Sequence, residues 1–95
     1  MSDKEWRWAY DPNRAHVITG LPEAVVTQVE KIAGDLVDLG ELGIDVTDIG
    51  EGPSHGGPGG MRRLPLSSDG FVYALPLPSR KLVVITRVIL PFEYL

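Results

Sequence analysis

From Pro22 onward the apolar positions fall at Val25, Val29, Ile32, Leu36 and Leu39, spaced four, three, four and three. That spacing draws one stripe down a helix. Gln28, Glu30, Lys31, Asp35 and Asp38 lie mostly off it. Pro22-Glu23 suits a first turn, since Pro lacks only an unpaired N–H and Glu favours the positive helix end. Gly40 suits the position just past the last turn. The pattern predicts a helix over Pro22–Leu39 with Val25, Val29, Ile32 and Leu36 on a core. Earlier in the chain the period is two. Glu5 to Tyr10 puts Trp6, Trp8 and Tyr10 on one side of a strand and Arg7 and Ala9 on the other. Asp11-Pro12 ends that strand and can cap a short helix over Pro12–Thr19 carrying Ala15, Val17 and Ile18.

Met61 to Leu90 reads as three strands and two tight turns. Ser67-Ser68-Asp69-Gly70 makes the first turn and Pro78-Ser79-Arg80-Lys81 the second. The third run, Leu82 to Leu90, is apolar on both faces apart from Arg87, which assigns it to the middle of a sheet. Between helix and meander, Glu41–Gly52 is either an extended segment or a loop anchored by Ile44, Val46 or Ile49. Gly50–Gly60 holds six glycines and two prolines and reads as a flexible loop. The order predicts an α+β fold: a small, mostly antiparallel sheet of about four strands, N-terminal helices on one face, and the other face partly open. Residues 1–95 make a single domain.

Composition adds a charge asymmetry. The net charge is −4, yet residues 1–59 carry four Lys/Arg against eleven Asp/Glu, while residues 60–95 carry five against two. The meander is thus the basic half, a pattern that suits an anionic partner and that small domains also show by chance. Cysteine is absent, which excludes disulfides and thiolate metal sites. No apolar run approaches the roughly 18–20 residues of a membrane helix, and MSDKEWRW has no apolar signal region. The expectation is a cytoplasmic protein with no membrane partner.

The pleat sorts the meander residues. Arg62 shares a face with Leu64 and Leu66, and Arg63 takes the other. Val72 and Ala74 oppose Phe71, Tyr73 and Leu75. Strict alternation groups Arg87 with Val83, Ile85 and Ile89, against Val84, Thr86 and Val88. If Leu64 and Leu66 face the helix, Arg63 lies on the open face. Arg87 joins it because a guanidinium avoids a dry core, and Tyr73 can stand with them. Two arginines on one sheet face offer fixed forks of donors to phosphate.

This order of features resembles the RelE/ParE superfamily of bacterial toxins. The resemblance rests on the aromatic-basic first strand ending in Asp11-Pro12, Leu21-Pro22 opening the helix, and the Gly-rich loop. It continues through Met61-Arg62-Arg63-Leu64, Phe71-Val72-Tyr73-Ala74 and Val83-Val84-Ile85-Thr86-Arg87-Val88. It implies the toxin component of a type II toxin–antitoxin pair, bound by a cognate antitoxin. RelE-like members cleave mRNA on the ribosome, and ParE-like members inhibit DNA gyrase. Arg87 resembles the family's arginine near the end of the last strand, and Arg62 or Arg63 its basic residue after the loop. Three departures stand out: Asp69-Gly70 occupies a usually basic position, Tyr94 lies farther past the arginine than the family's terminal His or Tyr, and the net charge of −4 is atypical for a ribosome-directed nuclease.

On this reading the catalytic candidates are Arg63, Arg87 and Tyr94, and the RNA- or partner-binding candidates are Arg62, Tyr73 and Lys81. Metal-free RNA cleavage needs a base, an acid and cations for the phosphorane. The arginines supply the cations, whereas Tyr94, Glu93 and His55 are acid–base candidates by residue type alone. No nucleotide-loop or nucleophile-elbow motif occurs. His16 and His55 are too far apart in sequence for a metal-ligand pair, and Asp45 and Asp48 lack the ligand ladder of a calcium loop, so no metal or cofactor is expected. Trp6 and Trp8 are types that stack bases and types that fill cores. The competing readings are a metal-independent endoribonuclease, a ParE-like or catalytically degenerate binder of a protein target, and an interaction module with no toxin role.

Overall fold

A computed structural model describes residues 5–52, 60–66 and 70–90. In chain order it contains strand β1 (Arg7–Tyr10), helices α1 (Arg14–Ile18) and α2 (Glu23–Glu41), a 3-10 turn over Val46–Asp48, and strands β2 (Arg62–Leu66), β3 (Gly70–Leu77) and β4 (Leu82–Ile89). The strands form one sheet in the order β1-β4-β3-β2. The meander is antiparallel, and β1 pairs parallel to β4, with Arg7 opposite Leu82 and Tyr10 opposite Ile85. This is the expected α+β fold, with helices on one sheet face. The Val/Ile-rich run is an interior strand, as its two apolar sides require. No helix among the described residues is long and apolar enough to cross a membrane.

The core lies between α2 and the sheet. Val25, Val29, Ala33 and Leu36 from α2 meet Val72, Ala74, Val83, Ile85 and Leu66, all buried, and Val17 and Ile18 of α1 close one end. Ile32 and Leu39, at the edges of the stripe, pack partly buried against this cluster. Trp6, Trp8 and Tyr10 pack there too, as the alternation in β1 requires, with Trp8 and Tyr10 edge to face at 5.0 Å between ring centres. The Tyr10 hydroxyl donates to Glu30 Oε2 at 2.9 Å.

Helix boundaries differ from the sequence reading in instructive ways. Asn13, rather than Asp11, caps α1, its Oδ1 accepting from His16 N at 2.8 Å. Pro22 is the residue before α2, and the helix runs through Gly40 to Glu41 instead of stopping at Leu39. Gly40 lies inside the helix with the Trp6 ring packed on it. A Cβ there would stand 2.5 Å from Trp6 Cδ2. The left-handed residue that turns the chain away is Gly43, at φ +81°. In the ambiguous segment Val46 is the buried anchor and Ile44 is exposed. Asp45 caps the 3-10 turn by accepting from Thr47 N.

Candidate functional site

The sheet face away from α2 carries no helix among the described residues. It displays Phe71, Tyr73, Leu75 and Leu77 of β3, each half-buried, flanked by Arg63 of β2 and by Leu82, Val84, Arg87 and Ile89 of β4. The register sets three of these side by side: Arg63 pairs with Tyr73, and Tyr73 pairs with Arg87. A tyrosine thus stands between two arginines, one from each neighbouring strand, in a row across three strands.

Arg87 reaches this row by a route that strict alternation does not provide. Alternation groups it with Val83 and Ile85, which are buried against the helix layer. A β-bulge between Tyr73 and Ala74 corrects the register. Ala74 pairs with Ile85 and Tyr73 with Arg87, leaving Thr86 as the additional residue. Ile85 keeps its core position and Arg87 moves to the open face. The Thr86 hydroxyl lies 3.5 Å from the Tyr73 carbonyl and 3.3 Å from Met61 Sδ, giving the extra residue polar contacts at the place where the ladder is interrupted.

The two arginines differ electrostatically. Arg63 is held on two sides. Its Cζ sits 4.4 Å from the centre of the Phe71 ring, at the range of a cation–π contact. Its Nε donates to Glu51 Oε1 at 2.8 Å, and Nη2 donates to the same oxygen. Hydrogen bonding to Glu51 raises the affinity of this guanidinium for its proton above the ordinary arginine value, with a further contribution from Tyr73. Arg87 is exposed and has no hydrogen-bond or ion-pair partner among the described residues. The row therefore presents one cation paired with a carboxylate and one that has no such partner among the described residues.

Glu51 had no signature in the sequence, since an acidic residue in a Gly-rich stretch reads as a solvated loop. Its backbone is laid against β2 by paired bonds, Glu51 N to Arg63 O at 2.9 Å and Arg63 N to Glu51 O at 2.7 Å. Gly50 permits this approach: it has φ +64°, and a Cβ there would stand 2.5 Å from the Arg63 carbonyl oxygen.

Arg62 requires a correction. It faces the helix side, as the pleat implied, but it is not a surface available to RNA or a partner. It is 3 % exposed, donates through Nε to the Ile49 carbonyl at 2.7 Å and through Nη2 to the Gly50 carbonyl at 3.3 Å, and lies 4.0 Å from Asp48. A buried guanidinium needs such partners, and here they fasten the loop to β2. Lys81 is also apart from the row. It sits at the far end of the β3–β4 hairpin in a left-handed turn, on the order of 20 Å along the strand from Arg87, and pairs with Glu5 at 2.9 Å. Tyr94, Glu93, His55 and the Ser67–Asp69 turn lie outside the described residues. Among the described residues no group of three or more acidic or histidine side chains could hold a metal ion. Trp6 and Trp8 both pack against the core rather than standing free as stacking platforms.

Comparison with protein-family models, with curated proteins and with solved structures gave no match to this chain.

Proposed function

We propose that this chain is the toxin component of a type II toxin–antitoxin pair, of the RelE/ParE kind it resembles, acting on mRNA through the open sheet face. The supporting observation is the Arg63–Tyr73–Arg87 row, which sets two guanidiniums and a phenol ring on the face that the helices leave uncovered. Guanidiniums suit phosphate oxygens, and an aromatic ring between them suits an unstacked base. In cleavage without a metal, the RNA 2′-oxygen bonds to phosphorus and the 5′-oxygen leaves. Arg87 and Arg63 would offset the charge that gathers on the phosphorane oxygens. A cytoplasmic site of action and a cognate antitoxin belong to this reading.

A second reading, a ParE-like or degenerate toxin that occupies a protein target such as DNA gyrase, has its own support. The carboxylate at the row, Glu51, is engaged by Arg63, and the described part of the face supplies no histidine. It is thus equipped to bind charge more evidently than to move protons.

Induced expression in a bacterial host tests both. Growth should stop, and co-expression of the cognate antitoxin should restore it. Cuts within ribosome-bound messages would support the RelE-like reading, and gyrase inhibition without cuts would support the other. Arg87→Lys keeps the charge and loses the fork, so it should lose at least about tenfold in toxicity at matched soluble expression. Undiminished growth with wild-type protein overturns the toxin reading, and full toxicity of Arg87→Lys removes Arg87 from the site.

A further inference from the structure

We propose that Glu51 is a built-in competitor for the anion site: its carboxylate holds the edge of the Arg63 guanidinium that an RNA phosphodiester must take to bind the row. This rests on the reading of the row as an RNA-binding surface. A carboxylate and a phosphodiester present the same chemistry to arginine, anionic oxygens accepting from adjacent N–H groups. Arg63 Nε and Nη2 both point at Glu51 Oε1, so that edge of the fork is occupied before any ligand arrives.

The contact is built into the backbone and does not depend on a chance rotamer. Glu51 is bonded in both directions to Arg63. The glycines on either side of it each lie where a Cβ would collide, Gly50 with the Arg63 carbonyl and Gly52 with the Arg62 guanidinium. Arg62 in turn binds the carbonyls of Ile49 and Gly50. The segment is thus fixed to β2 from both directions, with its one long side chain delivered to Arg63. Both partners remain in contact with solvent, Arg63 at 38 % and Glu51 at 67 % side-chain exposure, so a ligand can reach and replace the carboxylate. The consequence is a threshold. A single anion must displace Glu51 for one new contact, whereas an RNA segment offers Arg87 a second phosphate and Tyr73 a base at the same time. The contact therefore favours a chain of phosphates over an isolated one.

Fluorescence anisotropy with a fluorescein-labelled ten-nucleotide oligouridylate at low salt tests this. Glu51→Gln and Glu51→Ala should tighten binding by roughly threefold to fivefold, the upper part of the range expected for releasing an exposed ion pair, here one in which two N–H groups share a single carboxylate oxygen. Asp35→Asn removes the same charge from the outer side of α2, where Asp35 pairs with Lys31, and should change affinity by less than about twofold at a distance screened by solvent. In an Arg63→Ala background, Glu51→Ala should gain no more than Asp35→Asn does. Glu51→Gln keeps both backbone bonds, so it carries the test if the alanine variant melts early. Unchanged or weaker binding of Glu51→Gln, an equal gain in the Arg63→Ala background, or no binding by any variant overturns the competitor. Arg63→Ala and Arg87→Ala binding as wild type does would instead overturn the row as the RNA site. Weakened arginine variants with no gain at Glu51 would sink the competitor alone.

Discussion

Two glycines of α2 should answer the same substitution with opposite signs. Gly34 and Gly40 lie six residues apart in one helix, and replacing glycine by alanine inside a helix ordinarily stabilises by about 0.5–1 kcal/mol, because alanine loses less backbone entropy. A Cβ on Gly34 meets nothing within 4 Å, so Gly34→Ala should show that full gain. A Cβ on Gly40 would stand 2.5, 2.6 and 2.8 Å from three ring atoms of Trp6. The indole cannot simply swing away, because Trp6 packs on the core and its backbone N–H donates to Glu41 Oε2 at 2.7 Å. Overpacking of this kind costs about 1–3 kcal/mol, which offsets the propensity gain and leaves a net loss of up to roughly 2.5 kcal/mol. For a domain of this size 1 kcal/mol moves the melting temperature by about 4–8 °C. Circular dichroism melts should therefore place Gly34→Ala above wild type and Gly40→Ala below it. Tryptophan emission should shift in Gly40→Ala alone. Both variants moving the same way would show that Trp6 does not bear on Gly40, and the placement of β1 against the end of α2 would fall with it.

Val29→Asp places a carboxylate at a fully buried core position and should cost several kcal/mol; an unchanged urea midpoint would contradict the assignment of that helix face. Burial and the Glu30 carboxylate hold the Tyr10 phenol above its ordinary value. A raised value means its stabilisation is complete below the unfolded value near 10 and is lost as pH rises beyond it. Stability measured by urea between pH 9 and 11 should thus fall more steeply for wild type than for Tyr10→Phe, and parallel slopes would refute the Tyr10–Glu30 contact.

The parts of this fold written in local pattern were legible in the sequence. The stripe from Val25 to Leu36 and the two-sided apolar run of β4 each follow from a period that a few neighbouring residues define. What was not legible depended on residues distant in the chain. Nothing local says that position 40 needs a glycine within α2, since the reason is Trp6, which packs on it from just before β1. Glu51 likewise has meaning only beside Arg63. Arg87 is the mixed case. Desolvation placed it on the open face, whereas alternation assigned it to the side of Ile85. The bulge at Thr86 reconciles the two by spending one residue to turn the strand over. Arg62 shows the converse: the face was readable, but not that loop carbonyls from Ile49 and Gly50 await it there.

The parallel pairing of β1 with β4 bears on how the chain comes to be folded. β4 lies between β1 and β3, yet it is the last of these four strands to be synthesised. Until it emerges, β1 has no strand to pair with, and α2 can bury its stripe on only part of a sheet. Joining Arg7 to Leu82 closes nearly the whole chain into one loop, the kind of non-local contact that slows folding. The row that sets Tyr73 against Arg87 assembles in the same late step. A partly made chain thus holds Arg63 and Tyr73 without Arg87 beside them, and the row is whole only once this interior strand has been laid in.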